Sequence, residues 1–183
     1  MTRAPEFSRP VRLDELGEGV RRFSIEAGPE ERGALVRRFG LQSLDRLRAD
    51  VVLTRSGARI RLTGTFEAKL VQSCIASGDA VPASIAEPVT LIFVPEAAME
   101  AAEEEIELSG EDCDTLAHDG RTVDMGEAIA QSLGLAMNPY PRSPAAQAAL
   151  KAAGVASEEE EEAKPTGPFG ALAGLKAQLE GKK

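Results

Sequence analysis

The sequence predicts an α+β fold: an antiparallel sheet curled toward a barrel-like form, packed helices at its edge, and a tethered C-terminal helical segment. Three observations carry this. Ala58, Ile60, Leu62, Gly64, Phe66, Ala68 and Leu70 alternate with Arg59, Arg61, Thr63, Thr65, Glu67 and Lys69, the period of a long half-buried strand whose apolar face must find a core. Two segments, one opening at Pro29 and one at Asp124, carry helix start and stop signals. A run of five glutamates separates the last apolar stripe from everything before it.

Taken in order, Pro5 to Gly28 reads as short extended pieces and turns. Within it, Val20 to Ala27 is a strand with Phe23 and Ile25 on one face and Arg22 and Ser24 on the other. Pro29 opens a helix through Phe39, because its missing N–H is not needed in a first turn. Glu30 and Glu31 suit the positive end of the dipole, and Arg37 and Arg38 the negative end. Gly40 stops it. Leu47, Ala49, Val51 and Leu53 then alternate with Arg48, Asp50, Val52 and Thr54, and the link Arg55-Ser56-Gly57 makes a β-hairpin with the long alternating strand. Gly64 inside that strand marks a bulge or bend. Val89 to Val94, apolar on both sides and bounded by Pro88 and Pro95, reads as a buried strand.

Ala97 to Glu107 is acidic, partly disordered or helical at the surface, with Ile106 and Leu108 adding a short edge strand. Asp124 is an N-cap and Glu127 closes a capping-box variant. Met125, Ile129, Leu133 and Ala136 share a face of the helix that follows. Asn138-Pro139-Tyr140-Pro141 ends it. Ser143 to Ala153 is alanine-rich and forms another short helix.

The chain of 183 residues has room for one domain and tails. The expected organisation is an α+β domain at 1–142, a short helix at 143–156, an acidic flexible linker at 157–167 and a C-terminal amphipathic motif at 168–183. At 43% hydrophobic residues a core is affordable without disulfides or metal, whereas 4% aromatics and no Trp count against a base-stacking surface. No apolar run approaches the roughly 20 residues that span a bilayer. Met1 to Pro10 carries Arg3, Glu6 and Arg9 with no apolar core of a signal peptide. The expectation is therefore cytoplasmic, with no membrane partner. Cys74 and Cys113 read as free thiols.

The net charge of −9 argues against nonspecific nucleic-acid binding, but the average conceals an asymmetry. Residues 1–72 hold fourteen Lys/Arg and ten Asp/Glu, a net of +4, and residues 73–183 a net of −13. Such a division points to a polarised surface.

Little in the sequence suggests catalysis. His118 is the single histidine, and beside Asp119 it reads better as a surface loop residue than as half of a dyad with Cys113. Two cysteines thirty-nine positions apart make no zinc spacing, and Glu111-Asp112-Cys113-Asp114 lacks the ordered ligands of a calcium loop. No phosphate-binding glycine loop is present. The expectation is a protein that is not an enzyme, with no catalytic residues, metal, cofactor or small-molecule substrate. A small hydrolase is the weakest reading.

Several segments carry a family likeness. These are Phe7-Ser8-Arg9-Pro10-Val11 with Leu13-Asp14-Glu15-Leu16, and the amphipathic hairpin leading into Leu70-Val71-Gln72-Ser73-Cys74. Asp124-Met125-Gly126-Glu127-Ala128 with Asn138-Pro139-Tyr140-Pro141, and Pro168-Phe169-Gly170-Ala171-Leu172-Ala173-Gly174-Leu175-Lys176, complete the set. In order and spacing they resemble the YceD-like family. The resemblance implies a role in accumulation and processing of large-subunit ribosomal RNA. Some relatives carry Cys-x-x-Cys where this chain has Val71-Gln72-Ser73-Cys74. With Cys74 alone retained, a metal site here is doubtful, and Cys74 reads as a small buried residue near a strand end.

Two functional readings follow. In the first, the outward side of the hairpin presents Arg46, Arg48, Arg59, Arg61 and Lys69 to phosphates of large-subunit ribosomal RNA or its precursor, as positioning contacts without sequence readout. A solvated strand face has the same pattern. The preference for binding comes from the family resemblance. In the second, the acidic half makes the protein an adaptor or chaperone for a basic large-subunit ribosomal protein. The C-terminal stripe Phe169, Leu172, Leu175 and Leu179, with Lys176 beside it, is marginal as an isolated helix. It either docks back on the domain or anchors a partner.

Overall fold

The computed structural model describes residues 5–17, 19–102 and 115–155. In chain order these hold β1 (Pro10–Arg12), α1 (Leu13–Leu16), β2 (Val20–Glu26), α2 (Pro29–Phe39), β3 (Ser43–Ser56), β4 (Arg59–Ser73), β5 (Ala80–Pro95), α3 (Glu96–Ala102), β6 (Thr115–His118), β7 (Thr122–Asp124), α4 (Met125–Ala136) and α5 (Ala146–Ala152). The alternating segment is β4. It pairs antiparallel with β3 on one side and with β5 on the other, giving the order β2-β3-β4-β5-β6. Ile60, Leu62, Phe66, Ala68 and Leu70 all point into the core. The hairpin forms as expected, but its turn is the two residues Gly57 and Ala58, because Ser56 already pairs with Arg59. Gly57 has φ of 62°, the left-handed conformation that short hairpin turns require at their first position.

The sheet differs from the sequence expectation in two ways. It is not closed, since β2 and β6 are separate edges and β1 pairs with β7 in a ribbon of its own. It is also mixed, because β6 runs parallel to the end of β5. Parallel neighbours need a crossover rather than a tight turn, and the chain leaves β5 through α3 before it returns.

Two local expectations also change. Gly64 marks no register shift and pairs regularly with Val51 and Val89. A Cβ there would stand 2.2 Å from the Asp50 carbonyl oxygen, so the glycine permits close approach of two strands. The register shift lies at Asp45, between Leu44 and Arg46. One extra residue there reverses the alternation, so that Leu44 and Leu47 both face the core. Pro88 is inside β5 rather than at its start. Proline is tolerated there because, among the described residues, β6 covers only residues 92–95 of that edge.

The helices cover one face of the sheet. α2 has the expected bounds, with Gly40 in the left-handed C-cap. Met125, Ile129 and Leu133 of α4 are buried, but Ala136 is exposed. One continuous core joins Phe7, Leu13 and Leu16 to Leu35, the inner face of the sheet, and Ile129 and Leu133. α5 falls within the stretch expected to be helical, and α3 starts at Glu96, one residue before the acidic stretch expected to be partly disordered or helical. The strand expected at Ile106 and Leu108 and the C-terminal helical segment lie outside the described residues.

A clasp holds the chain's first described segment against α4. Asp124 caps the helix, its carboxylate accepting from the Gly126 and Glu127 amides at 3.0 and 3.2 Å. The same carboxylate accepts from the Arg9 amide at 2.7 Å and from the Ser8 hydroxyl at 2.5 Å. The backbone passes so close that a Cβ on Gly126 would meet the Phe7 carbonyl oxygen at 2.5 Å. Two arginines flank the capped turn with ion pairs. Arg9 grips Glu31 of α2 at 2.6 and 2.8 Å, and Glu31 also accepts from the Gly28 amide. Arg38 reaches Glu6 and Glu127. Glu127 therefore serves an inter-helix contact rather than the capping box the sequence suggested. The Arg9 guanidinium holds the Glu31 carboxyl below its usual range despite burial, with help from the Gly28 amide. Burial pushes Glu127 up, but Arg38 and Gln131 outweigh it and hold it low.

Two outcomes follow. Helix propensity alone favours alanine over glycine, yet Gly126→Ala should destabilise the fold by about 1–3 kcal/mol through the forced shift of residues 7–9. Asp124→Ala should cost about 2 kcal/mol or more, since it removes a cap and leaves further donors unpaired. Urea unfolding measures both. Carboxylates held below their unfolded values stabilise the fold above those values, and that contribution is lost as pH falls through the folded ones. The melting temperature should therefore fall as pH drops below about 4, and Arg38→Met should reduce the size of that fall.

Candidate nucleic-acid interface

The face of the sheet opposite the core is set by the same alternation. Residues directly opposite on neighbouring strands point to the same side, and the register groups them into rows. Arg46, Lys69 and Ser84 form one row, and Glu26, Arg48, Glu67 and Ala86 the next. Then come Ser24, Asp50, Thr65 and Pro88, followed by Arg22, Val52, Thr63 and Thr90. Val20, Thr54, Arg61 and Ile92 follow, with Ile92 buried at the β5 end of the row, and Ser56 with Arg59 closes the series at the hairpin end.

All five cations singled out from the sequence thus lie on one face, though not as one cluster. Arg46 and Lys69 stand directly opposite each other at one end. Arg61 and Arg59 lie toward the other, about 26 and 33 Å away at the rise of a β-strand. Arg48 is the least available, being flanked by Glu26 and Glu67 and paired with Asp50 at 3.0 Å. The Ser24 hydroxyl and Arg48 hold the Asp50 carboxyl below its usual range, so the middle of the face keeps its negative charge. Among the described residues Arg46, Arg59, Arg61 and Lys69 have no ion-pair partner.

Arg22 belongs to this face as well and was not among the expected site residues. Its signal was present in the alternation that puts Phe23 and Ile25 inward. What the sequence lacked was the pairing that lays Val20–Glu26 beside β3. The C-terminal residues Phe169, Leu172, Leu175, Lys176 and Leu179 lie outside the described residues.

His118 is buried, at 6% exposure, and corrects the expectation of a surface histidine. The Gly120 amide donates to Nδ1 at 3.0 Å, so Nε2 carries the proton and donates to the Ala58 carbonyl at 3.0 Å. Both ring nitrogens are used to tie the hairpin turn to the loop between β6 and β7. Nearby, a cavity of about 480 Å³ is lined by Arg12, Leu13, Asp14, Gly120, Arg121 and Thr122, and Arg12 is already paired with Asp14 and Glu15.

Cys74 directly follows β4 and is 3% exposed, as the sequence suggested. The Ser77 hydroxyl and the Ser143 amide hold its thiol down to about 6. The surrounding bonds are structural. The Ile75 amide donates to the Pro141 carbonyl at 3.0 Å, Gln72 to the Asn138 carbonyl at 2.8 Å, and the Ser143 hydroxyl to Asp79 at 3.0 Å. They fasten the β4–β5 loop to the segment after α4. Among the described residues no group of three or more His, Cys, Asp or Glu side chains is placed to hold a metal ion. No helix among them is long and apolar enough to cross a membrane.

No curated protein and no solved structure matches the chain. The model of one family, described as large ribosomal RNA subunit accumulation protein YceD, matches residues 62–176, which is more than half of the 183 residues. That span runs from inside β4 through the Cys74 loop, the Asp124 cap and the turn after α4, and the chain belongs to the YceD family.

Proposed function

We propose that this protein supports accumulation of large-subunit ribosomal RNA by binding that RNA or a precursor particle through the outward face of β3 and β4. The observation that carries this is the Arg46–Lys69 pair. Like charges directly opposite on neighbouring strands destabilise a sheet, and neither forms an ion pair among the described residues, although Asp45 at the bulge and Glu67 in the next row lie near them. A bound phosphate relieves that repulsion. Arg59 and Arg61 offer a second cationic point on the same face. Contacts of this kind position an RNA and are read out as salt dependence rather than as sequence preference. The C-terminal stripe of Phe169, Leu172, Leu175 and Leu179, with Lys176, serves as a tethered anchor for a second contact on the particle.

Replacing Arg46, Arg48, Arg59, Arg61 and Lys69 together by Gln should weaken binding to precursor large-subunit RNA and flatten its dependence on salt, measured by filter binding across a salt series. Unchanged binding would remove this face from the reading. Purification of the tagged protein from cells with and without nuclease separates RNA contact from the adaptor alternative. If a basic ribosomal protein stays bound after nuclease while the RNA is lost, the acidic half of the chain is the binding element.

Deleting residues 165–183 should leave the melting temperature nearly unchanged and weaken association with large-subunit precursors in gradient fractions. A clear loss of thermal stability would make the segment part of the fold and remove it as an anchor.

A further inference from the structure

We infer that the outward sheet face takes double-stranded RNA in preference to a single strand, gripped at two places, with Arg22 as a sixth cationic contact. This rests on the RNA-binding reading above and names the form of RNA. The first observation concerns aromatics. Single-strand surfaces stack bases on exposed rings. Phe7, Phe66 and Phe93 are buried, and Phe23 and Phe39 pack against the core. Tyr140 is 70% exposed but lies in the turn after α4, not on the sheet. The face itself offers Ser24, Thr54, Thr63, Thr65 and Thr90 between its charges. Among the described residues it has no stacking platform, but it has hydroxyls of the kind that meet 2′-hydroxyls across the shallow minor groove of an A-form helix.

The second observation is the arrangement of charge. Arg46 and Lys69, with Asp45 beside them at the bulge, mark one end, and Arg22, Arg59 and Arg61 the other, while between them Glu26, Asp50 and Glu67 outnumber Arg48. A flexible strand lying along this face brings its phosphates onto that acidic band. A duplex is rigid, and its phosphate ridges are separated by grooves. Two ridges can meet the two cationic ends while a groove lies over the carboxylates. The central acids then exclude the single strand as much as the terminal cations attract the duplex.

Fluorescence anisotropy with the full chain tests this, using a labelled RNA duplex of about 20 base pairs, one of its strands alone, and a DNA duplex of the same sequence. The RNA duplex should bind tightest, by about tenfold over the single strand. Arg22→Gln with Arg61→Gln at one end, and Arg46→Gln with Lys69→Gln at the other, should each weaken duplex binding about tenfold and lower the salt slope by about two. Thermal melts of both variants confirm that they are folded. A single strand bound as tightly as the duplex overturns the inference while leaving the RNA-binding reading in place. A DNA duplex bound equally well overturns the A-form preference, and an effect confined to one end overturns the two-point grip. Failure of every RNA to bind removes both readings.

Discussion

The carboxylate of Asp124 is the point on which the domain closes. It accepts from four donors, two in the first turn of α4 and two in the segment around Ser8 and Arg9. Each bond is ordinary by itself. Together they join two parts of the chain that lie on either side of the whole sheet in sequence. With the clasp made, β1 can lie beside β7, α4 is started at the right residue, and Phe7 enters the core between them. The flanking pairs Arg9–Glu31 and Arg38–Glu127 bring α2 into the same assembly, so that one acidic side chain sets the spacing of three elements.

With one face covered in this way, the other carries mostly polar and charged residues, apart from Val20, Val52 and the buried Ile92. The division is maintained along β3 and β4 by alternation and by the extra residue at Asp45, which corrects the phase where the strand would otherwise turn leucines outward. Gly64 lets the strands approach at the centre. The inner face consequently sets the geometry of the outer one. The spacing of Arg46 and Lys69 from Arg59 and Arg61 is a property of core packing as much as of the cations themselves.

Much of this was legible in the residues. Strict alternation revealed β4 because one face of it is solvated, and caps and a proline placed α2 to the residue because those signals act locally. What was not legible depended on partners distant in sequence. His118 looks like a loop residue until the Ala58 carbonyl is brought beside it. Pro88 looks like a strand boundary until the far edge of β5 proves largely uncovered among the described residues. The family's Asp124-Met125-Gly126-Glu127 motif was visible as a helix start, but not as the seat for residues 7–9. The five cations could be assigned to one face from alternation alone. Their separation into two ends, the acids between them and the addition of Arg22 required the strand register.

The clasp also has a consequence for the order of events during synthesis. Ser8 waits for a partner 116 positions later, so a segment made well before Asp124 is placed only after it. The β3–β4 hairpin and its neighbours need only local contacts and can form while the rest of the chain is still emerging. Until Asp124 arrives, the inner face of that nascent sheet lacks both Phe7 and α4, and its row of leucines is bare. The opening residues, apolar and cationic by turns, must remain available for all of that time. The interval before the carboxylate reaches them is the period when the growing protein is most exposed to mispairing.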